Sequence, residues 1–126
     1  MGGNISDGEL YSGCYEVDHV AWYNSNSSLS REVGKTEHSN ELKLYDMSGN
    51  VWEWCEDWYD ENYYSKSPEN NPVNLTNTTN RKVIRGGSYT NSSSKCYVDY
   101  RGDQPPETQF SNIGFRLCSD NDIIQN

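Results

Sequence analysis

The sequence predicts an irregular, loop-rich α+β domain built on short antiparallel strands, and three features of the 126-residue chain point there. First, apolar residues make up 33% of it, few for an aliphatic core, yet 13% are aromatic, with ten Tyr and four Trp. Disordered chains are poor in aromatics, and each large ring buries about 150–250 Å², so this composition describes an aromatic core beneath long polar loops. Second, the apolar runs are short and punctuated by Gly, Pro, Asn and Ser. Third, no tandem repeat is present, and the length suits one domain that buries roughly two thirds of its unfolded surface.

The elements follow in chain order. Residues 1–39 are polar, with a small apolar cluster at Val17, Val20, Ala21, Trp22 and Tyr23, and predict loops with one short strand or turn. Next, Leu42, Leu44, Tyr45 and Met47 precede the turn Ser48-Gly49-Asn50, and their spacing also admits a short helix over Leu42–Met47. After that turn, Val51-Trp52-Glu53-Trp54-Cys55 reads as a strand by its aromatic and β-branched content. Asp60 to Arg81, with Pro68, Pro72 and many Asn, Ser and Thr residues, predicts a long loop. A strand over Arg81–Ile84 then enters Arg85-Gly86-Gly87-Ser88-Tyr89, whose paired glycines permit positive φ or a close backbone approach. Cys96–Tyr100 predicts another strand, Pro105-Pro106 breaks it, and Ile113–Leu117 predicts the last. The tail from Ser119 is expected to fray.

Charge excludes some partners. The net charge is −9 and Lys and Arg form no cluster, which argues against a nucleic-acid backbone or an anionic membrane and leaves cations and neutral ligands open. No apolar run approaches the roughly 18 residues of a membrane span. Met1-Gly2-Gly3-Asn4 carries neither the basic region nor the apolar stretch of a signal peptide, which implies a cytoplasmic protein or part of a longer secreted one.

Cys14, Cys55, Cys96 and Cys118 lie far apart with no C-x-x-C pair, which disfavours zinc-ribbon and thioredoxin-type sites; disulfides and free packed thiols both stay open. The sequons at Asn4, Asn26, Asn74, Asn77 and Asn91 are expected by chance in a chain this rich in Asn and Ser. His19 and His38 show no partner at ligand or catalytic spacing and read as solvated surface residues.

Physically, the segment around Ser48-Gly49-Asn50 reads as a cation loop. Asp46 and Glu53 supply carboxylates, and the turn lets backbone carbonyls face the same point; calcium takes about six to eight such oxygens. The alternative is that these carboxylates cap turns or pair with Arg85 or Arg116.

Three blocks together resemble one family. Leu44-Tyr45-Asp46-Met47-Ser48-Gly49-Asn50-Val51-Trp52-Glu53-Trp54, Arg85-Gly86-Gly87-Ser88-Tyr89 and Asn112-Ile113-Gly114-Phe115-Arg116 are similar in order and separation to the formylglycine-generating-enzyme, or sulfatase-modifying-factor, family. Val20-Ala21-Trp22-Tyr23 resembles a segment just upstream. The resemblance covers residues 11–120, is strongest over 41–118, and implies a C-type-lectin-like fold. Family members have a further N-terminal portion, so residues 1–126 read as a single truncated domain. Missing elements leave sheet edges or apolar surface uncovered, which favours a partner or self-assembly into a homo-oligomer.

For the metal, the resemblance implies calcium held by Asp46 and Glu53 and by the carbonyls of Gly49 and Val51. Members often carry Asn where this chain has Asp46. For the chemistry, family enzymes resemble one another in two cysteines after the Gly-Gly-Ser motif that bind copper and activate oxygen against a sulfatase cysteine. Those positions fall on Asn91 and Cys96, and a near-linear copper(I) site needs two soft thiolates. Copper is therefore not expected. Cys96 reads as structural, free to pack or to pair with Cys55 or Cys118; in an enzyme, Cys96 and Ser88 would be the residues to examine.

A subgroup of the family, phage and bacterial variable proteins diversified by retroelements, resembles this chain in its Asn-rich stretch between the second and third blocks. Here that stretch holds Tyr89, Asn91, Tyr97, Asp99, Tyr100 and Asp103, residue types that make adaptable contact surfaces. The resemblance implies a ligand-binding domain acting through residues 89–104 on an unidentified protein or small molecule. The integrin-like tripeptide Arg101-Gly102-Asp103 is short enough to arise by chance.

Overall fold

A computed structural model describes residues 8–70 and 72–118. The Asn4 sequon and the tail from Ser119 lie outside the described residues. Strand β1 runs Trp52–Trp58, β2 Lys82–Arg85, β3 Gly102–Gln104 and β4 Ile113–Gly114. They form a four-stranded sheet in the order β3-β2-β1-β4.

The two longer strands lie where aromatic and β-branched residues concentrate. β1 pairs antiparallel with β2 through Glu53↔Arg85 and Trp54↔Ile84, and a register shift precedes Trp58↔Lys82. Such an irregularity bends the strand and strengthens its twist. The Lys82 ammonium lies 4.1 Å from the Trp58 ring centroid, covering the outer end of β1.

The sheet is mixed, which corrects the expectation of antiparallel strands alone. β4 runs parallel to β1, with Trp52↔Ile113 and Glu53↔Gly114 in register. After β3 pairs at one edge, the chain crosses to the opposite edge and enters beside β1 in the same direction; parallel pairing requires such a crossover. The last strand is shorter than Ile113–Leu117, since beyond Gly114 the Arg116 side chain turns to Glu53 and to the Tyr45 carbonyl.

Cys96–Tyr100 is not a strand. Ser93–Cys96 forms a 3-10 turn, and the next carbonyls are drawn away from any ladder: Arg85 donates to the Val98 carbonyl at 3.2 Å, and the Tyr100 amide donates to Tyr97 O at 3.1 Å. The strand forms later, at Gly102–Gln104, against β2. Residues 42–47 form no helix, because Asn40 captures the chain: its side-chain oxygen accepts from the Leu42 and Leu44 amides at 3.0 and 2.9 Å. Among the described residues the helical elements are 3-10 turns, the others at Val17–His19 and Tyr63–Ser65.

The core is small and more polar than the aromatic count suggests. Tyr11, Val20 and the fully buried Cys96 form one cluster, packed by Cys14, Val17, Tyr23 and Tyr97. Trp52, Val83 and Ile84 are buried on the sheet, while the other three Trp residues are half-buried. Between these apolar patches lie buried Ser48, Asn50 and Ser88. Burying such groups is costly unless each is hydrogen-bonded, so they mark where backbone meets backbone.

Candidate functional site

Two turns packed against each other organise the candidate site. The Ser48-Gly49-Asn50 turn needs left-handed backbone at Gly49 (φ 77°) and Asn50 (φ 64°). Gly49 donates to the Gly86 carbonyl at 2.6 Å, and Asn50 accepts from the Tyr89 amide at 2.8 Å, so the first block is sewn to the second. A Cβ at Gly49 would stand 2.5 Å from the Trp22 carbonyl oxygen, and one at Gly87 would stand 2.7 Å from the Cys96 sulfur. The Ser48 hydroxyl completes the join by donating to the Cys96 carbonyl at 2.9 Å.

On one side of this joint lies the expected cation loop. Asp46 is buried with φ 58°, and its Oδ2 accepts from the Gly34 amide at 2.7 Å. Its Oδ1 is buried with no hydrogen-bond partner. Glu53 takes the alternative role, pairing with Arg116, whose Nε lies 2.8 Å from both carboxylate oxygens. Asp46, Val51 and Glu53 line one cavity of about 420 Å³ with Val33, Phe115 and Arg116. Gly49 stands beside it in the turn.

On the other side, Asn91 and Cys96 are put to structural use. Ser88, wholly buried, donates its hydroxyl to the Asn91 amide oxygen at 2.6 Å and faces the Thr90 hydroxyl at 3.0 Å. Asn112, from the third block, donates to Thr90 and Ser88 at 3.0 and 3.3 Å. The network thus ties the second block to the third. Cys96 is sealed beneath Gly87, and burial pushes its thiol up to about 11. Cys55, half-buried on β1, is likewise pushed up to about 11 by burial. All four cysteines are free.

The expected ligand surface divides. Asn91, Tyr100 and Asp103 line one groove of about 380 Å³ with Trp52, Lys95 and Asn112. Its floor is built by Tyr100 on Trp52, ring centroids 5.9 Å apart, with the Lys95 ammonium 4.2 Å from the Tyr100 centroid. Tyr89 lines a separate recess with Asn24 and Arg31. Tyr97 packs on Tyr11 at 5.3 Å, so it belongs to the core. Asp99 is exposed to solvent. The Arg101-Gly102-Asp103 tripeptide is tied down: Arg101 lies 4.1 Å from the Tyr64 ring centroid, and Asp103 pairs with Arg81.

Sequence spacing missed one cluster. His19 and His38, read as isolated, face each other edge to face with ring centroids 5.3 Å apart. His19 also binds the Glu37 carboxylate through Nδ1 and Glu16 through Nε2, the latter at 3.0 Å. Hydrogen bonding to Glu37 and then Glu16 raises the His19 pKa, and the same contact lowers that of Glu37. The sequence shows the i, i+3 relation of Glu16 to His19 and the adjacency of Glu37 and His38, but not that the two pairs meet.

The twisted sheet, the two glycine turns held back to back and the 3-10 turns define a small C-type-lectin-like domain. The chain belongs to the sulfatase-modifying-factor family: the model of the sulfatase-modifying factor enzyme 1-like domain matches residues 2–121. It is 38% identical to a formylglycine-generating enzyme of Streptomyces coelicolor over 98 residues, 75% of this chain and 31% of that protein. It is 30% identical to a chaperone protein LppX of Paenibacillus barcinonensis over 119 residues, 80% of this chain and 38% of that protein. Among solved structures, Treponema denticola variable protein 1 superimposes with a TM-score of 0.74 at 35% identity, covering 85% of this chain and 39% of its own. The chain thus spans between 31% and 39% of the length of these relatives.

Proposed function

We propose that this chain is a non-catalytic binding domain of the sulfatase-modifying-factor family, taking a protein or small-molecule ligand in the groove floored by Trp52 and Tyr100. One observation carries the reading: where the family's oxidases resemble one another in a thiolate, Asn91 spends its amide oxygen on the buried Ser88 hydroxyl. A copper(I) dithiolate needs two soft sulfurs, and Cys96 is buried, protonated at neutral pH and covered by Gly87. The likeness to a protein named for its variability supports a binding role. An aromatic floor with a polar rim of Asn91, Lys95, Asp103 and Asn112 suits a ligand with one flat apolar face and peripheral hydrogen-bonding groups.

Calcium belongs to the same proposal as a stabiliser of the scaffold. Asp46 Oδ1 fits such an ion, since a buried carboxylate oxygen without a partner is costly. Gly49 and Val51 would add carbonyls and Glu53 a carboxylate shared with Arg116. The ion would clamp the turn that holds the second block in place.

Two measurements test the binding reading. With copper and a sulfatase-type cysteine peptide, oxygen uptake should stay at background; formylglycine formation that disappears in Cys96→Ser overturns it. In a fragment screen followed by NMR, bound compounds should move the Trp52 indole and Tyr100 signals, and a hit set that spares both rejects the groove.

A second reading, self-assembly, is favoured by one observation. Phe115 and Leu117 are 76% and 90% exposed directly after β4 at the sheet edge. Sedimentation should then show concentration-dependent association that Phe115→Ser with Leu117→Ser removes; a monomer at all concentrations ends this reading.

A further inference from the structure

Away from the binding groove and the Asp46 turn, two loops bring together the chain's only two histidines, His19 and His38, with Glu37 and Glu16. The juxtaposition is built by the backbone. Glu16 precedes the 3-10 turn Val17–His19, the His38 amide donates to the His19 carbonyl at 2.9 Å, and the Thr36 hydroxyl anchors the second loop by donating to the His38 carbonyl at 3.3 Å. One ligand atom each from His19, Glu37 and His38 lies within 4.8 Å of the others. A zinc ion with ligand bonds of about 2.0–2.1 Å holds its donors roughly 3.3 Å apart, so small rotations of these solvent-facing side chains bring all three onto one centre.

We propose that His19, His38 and Glu37 bind a divalent transition-metal ion of the zinc class, with Glu16 as the positioning carboxylate. Donor chemistry selects the metal. Two imidazoles and one carboxylate suit zinc, which takes nitrogen and oxygen donors in tetrahedral sites, whereas calcium takes oxygens alone. Glu16 supplies the usual partner of a metal-bound histidine: by accepting a hydrogen bond from Nε2 it holds His19 in the tautomer that offers Nδ1 to the ion. Metal at Nδ1 takes the place of the proton between His19 and Glu37. The fourth position is left to water or to a donor from a ligand. The net charge of −9 favours accumulation of cations at such a surface.

Such an ion would staple the ends of the loop running from His19 to Glu37. That loop carries Val20 and Ala21 into the core, and its Arg31 amide bonds the Asn50 side chain at 3.0 Å. The role is structural and independent of the groove ligand.

The test is a titration of zinc chloride into the full chain by calorimetry, paralleled by NMR of the two imidazoles. Because these are the only histidines, their signals report on this cluster alone. The expected result is one zinc per chain, perturbation of both rings and no competition from calcium. His19→Ala and His38→Ala should each weaken binding by about tenfold or more, and Glu16→Gln by about tenfold through loss of the positioning bond. Metal-free thermal melts establish that each variant is folded, with His38→Gln as a milder replacement should His38→Ala fail to fold. Absence of saturable binding overturns the proposal, leaving His19 as a clamp between two glutamates. So does zinc binding of undiminished affinity in folded His38→Gln, which would take His38 out of the ligand set.

Discussion

The Cys96 sulfur sits directly against Gly87, so close that a single added carbon on Gly87 would stand 2.7 Å from it. The same carbon would meet the Lys95 carbonyl oxygen at 2.9 Å, which is backbone and cannot swing aside. Gly87 also holds φ 73°, in the left-handed region. Gly87→Ala should therefore destabilise the fold by about 2–4 kcal/mol, combining backbone strain with overpacking. Urea denaturation measures it, and a loss under about 0.5 kcal/mol would mean the two segments separate easily.

Thiol reactivity should sort the cysteines by burial. Cys118 is exposed, while Cys96 is buried with its thiol pushed up to about 11. Only the thiolate is nucleophilic, so alkylation near about pH 8 should modify Cys118 first and Cys96 only on unfolding. Mass mapping after a short reaction reads this directly, and early Cys96 labelling would contradict the sealed site.

The same thiols set a direction at alkaline pH. Cys55 and Cys96 titrate at about 11 in the fold against an ordinary 9.0, so the unfolded chain gives up these protons first. Their contribution is fully present below about pH 9 and is lost as pH rises toward 11. Melting temperature should decline across that window, and Cys96→Ala, itself less stable at neutral pH, should decline less steeply.

Asn91 should matter for stability. Removing its amide takes an acceptor from the buried Ser88 hydroxyl, which keeps Thr90 and Asn112 as neighbours. Asn91→Ala is expected to cost about 1–2 kcal/mol, because the network is partly rather than wholly broken. Asn91→Cys should be destabilising too, and without copper-dependent oxidation, since Cys96 stays covered by Gly87.

Calcium should raise the melting temperature if Asp46 helps to hold it, because an ion bound only by the native state stabilises it by about 2.7 kcal/mol at a hundredfold excess over Kd. The rise should vanish in Glu53→Ala and shrink in Asp46→Asn, which keeps one oxygen. An unchanged melting temperature in the parent chain removes calcium from the proposal.

Much of the frame was legible in the residues. Aromatic and β-branched content located β1 and β2, and the Gly-Gly and Ser-Gly-Asn turns were readable because a left-handed backbone leaves few residue choices. The pairing of Glu53 with Arg116 was one of the alternatives the residues left open, beside Arg85, and the tertiary structure chose between them. Cys96–Tyr100 misled because its aromatic and β-branched residues suit a strand, whereas tertiary bonds from Arg85 drew the Val98 and Tyr100 carbonyls out of any ladder.

What the sequence by itself determined is the local chemistry: which segments extend, which turn, and which family's blocks stand in order. The tertiary structure alone decided the meetings at long range. It ran β4 parallel to β1, sent Tyr97 into the core while Tyr100 floors a groove, sealed Cys96 under Gly87, and set His19 beside His38 and Glu37. The physical reason is that turn and strand preferences act over a few neighbouring residues. Contacts between distant segments depend instead on how the whole chain closes its backbone hydrogen bonds around a small core.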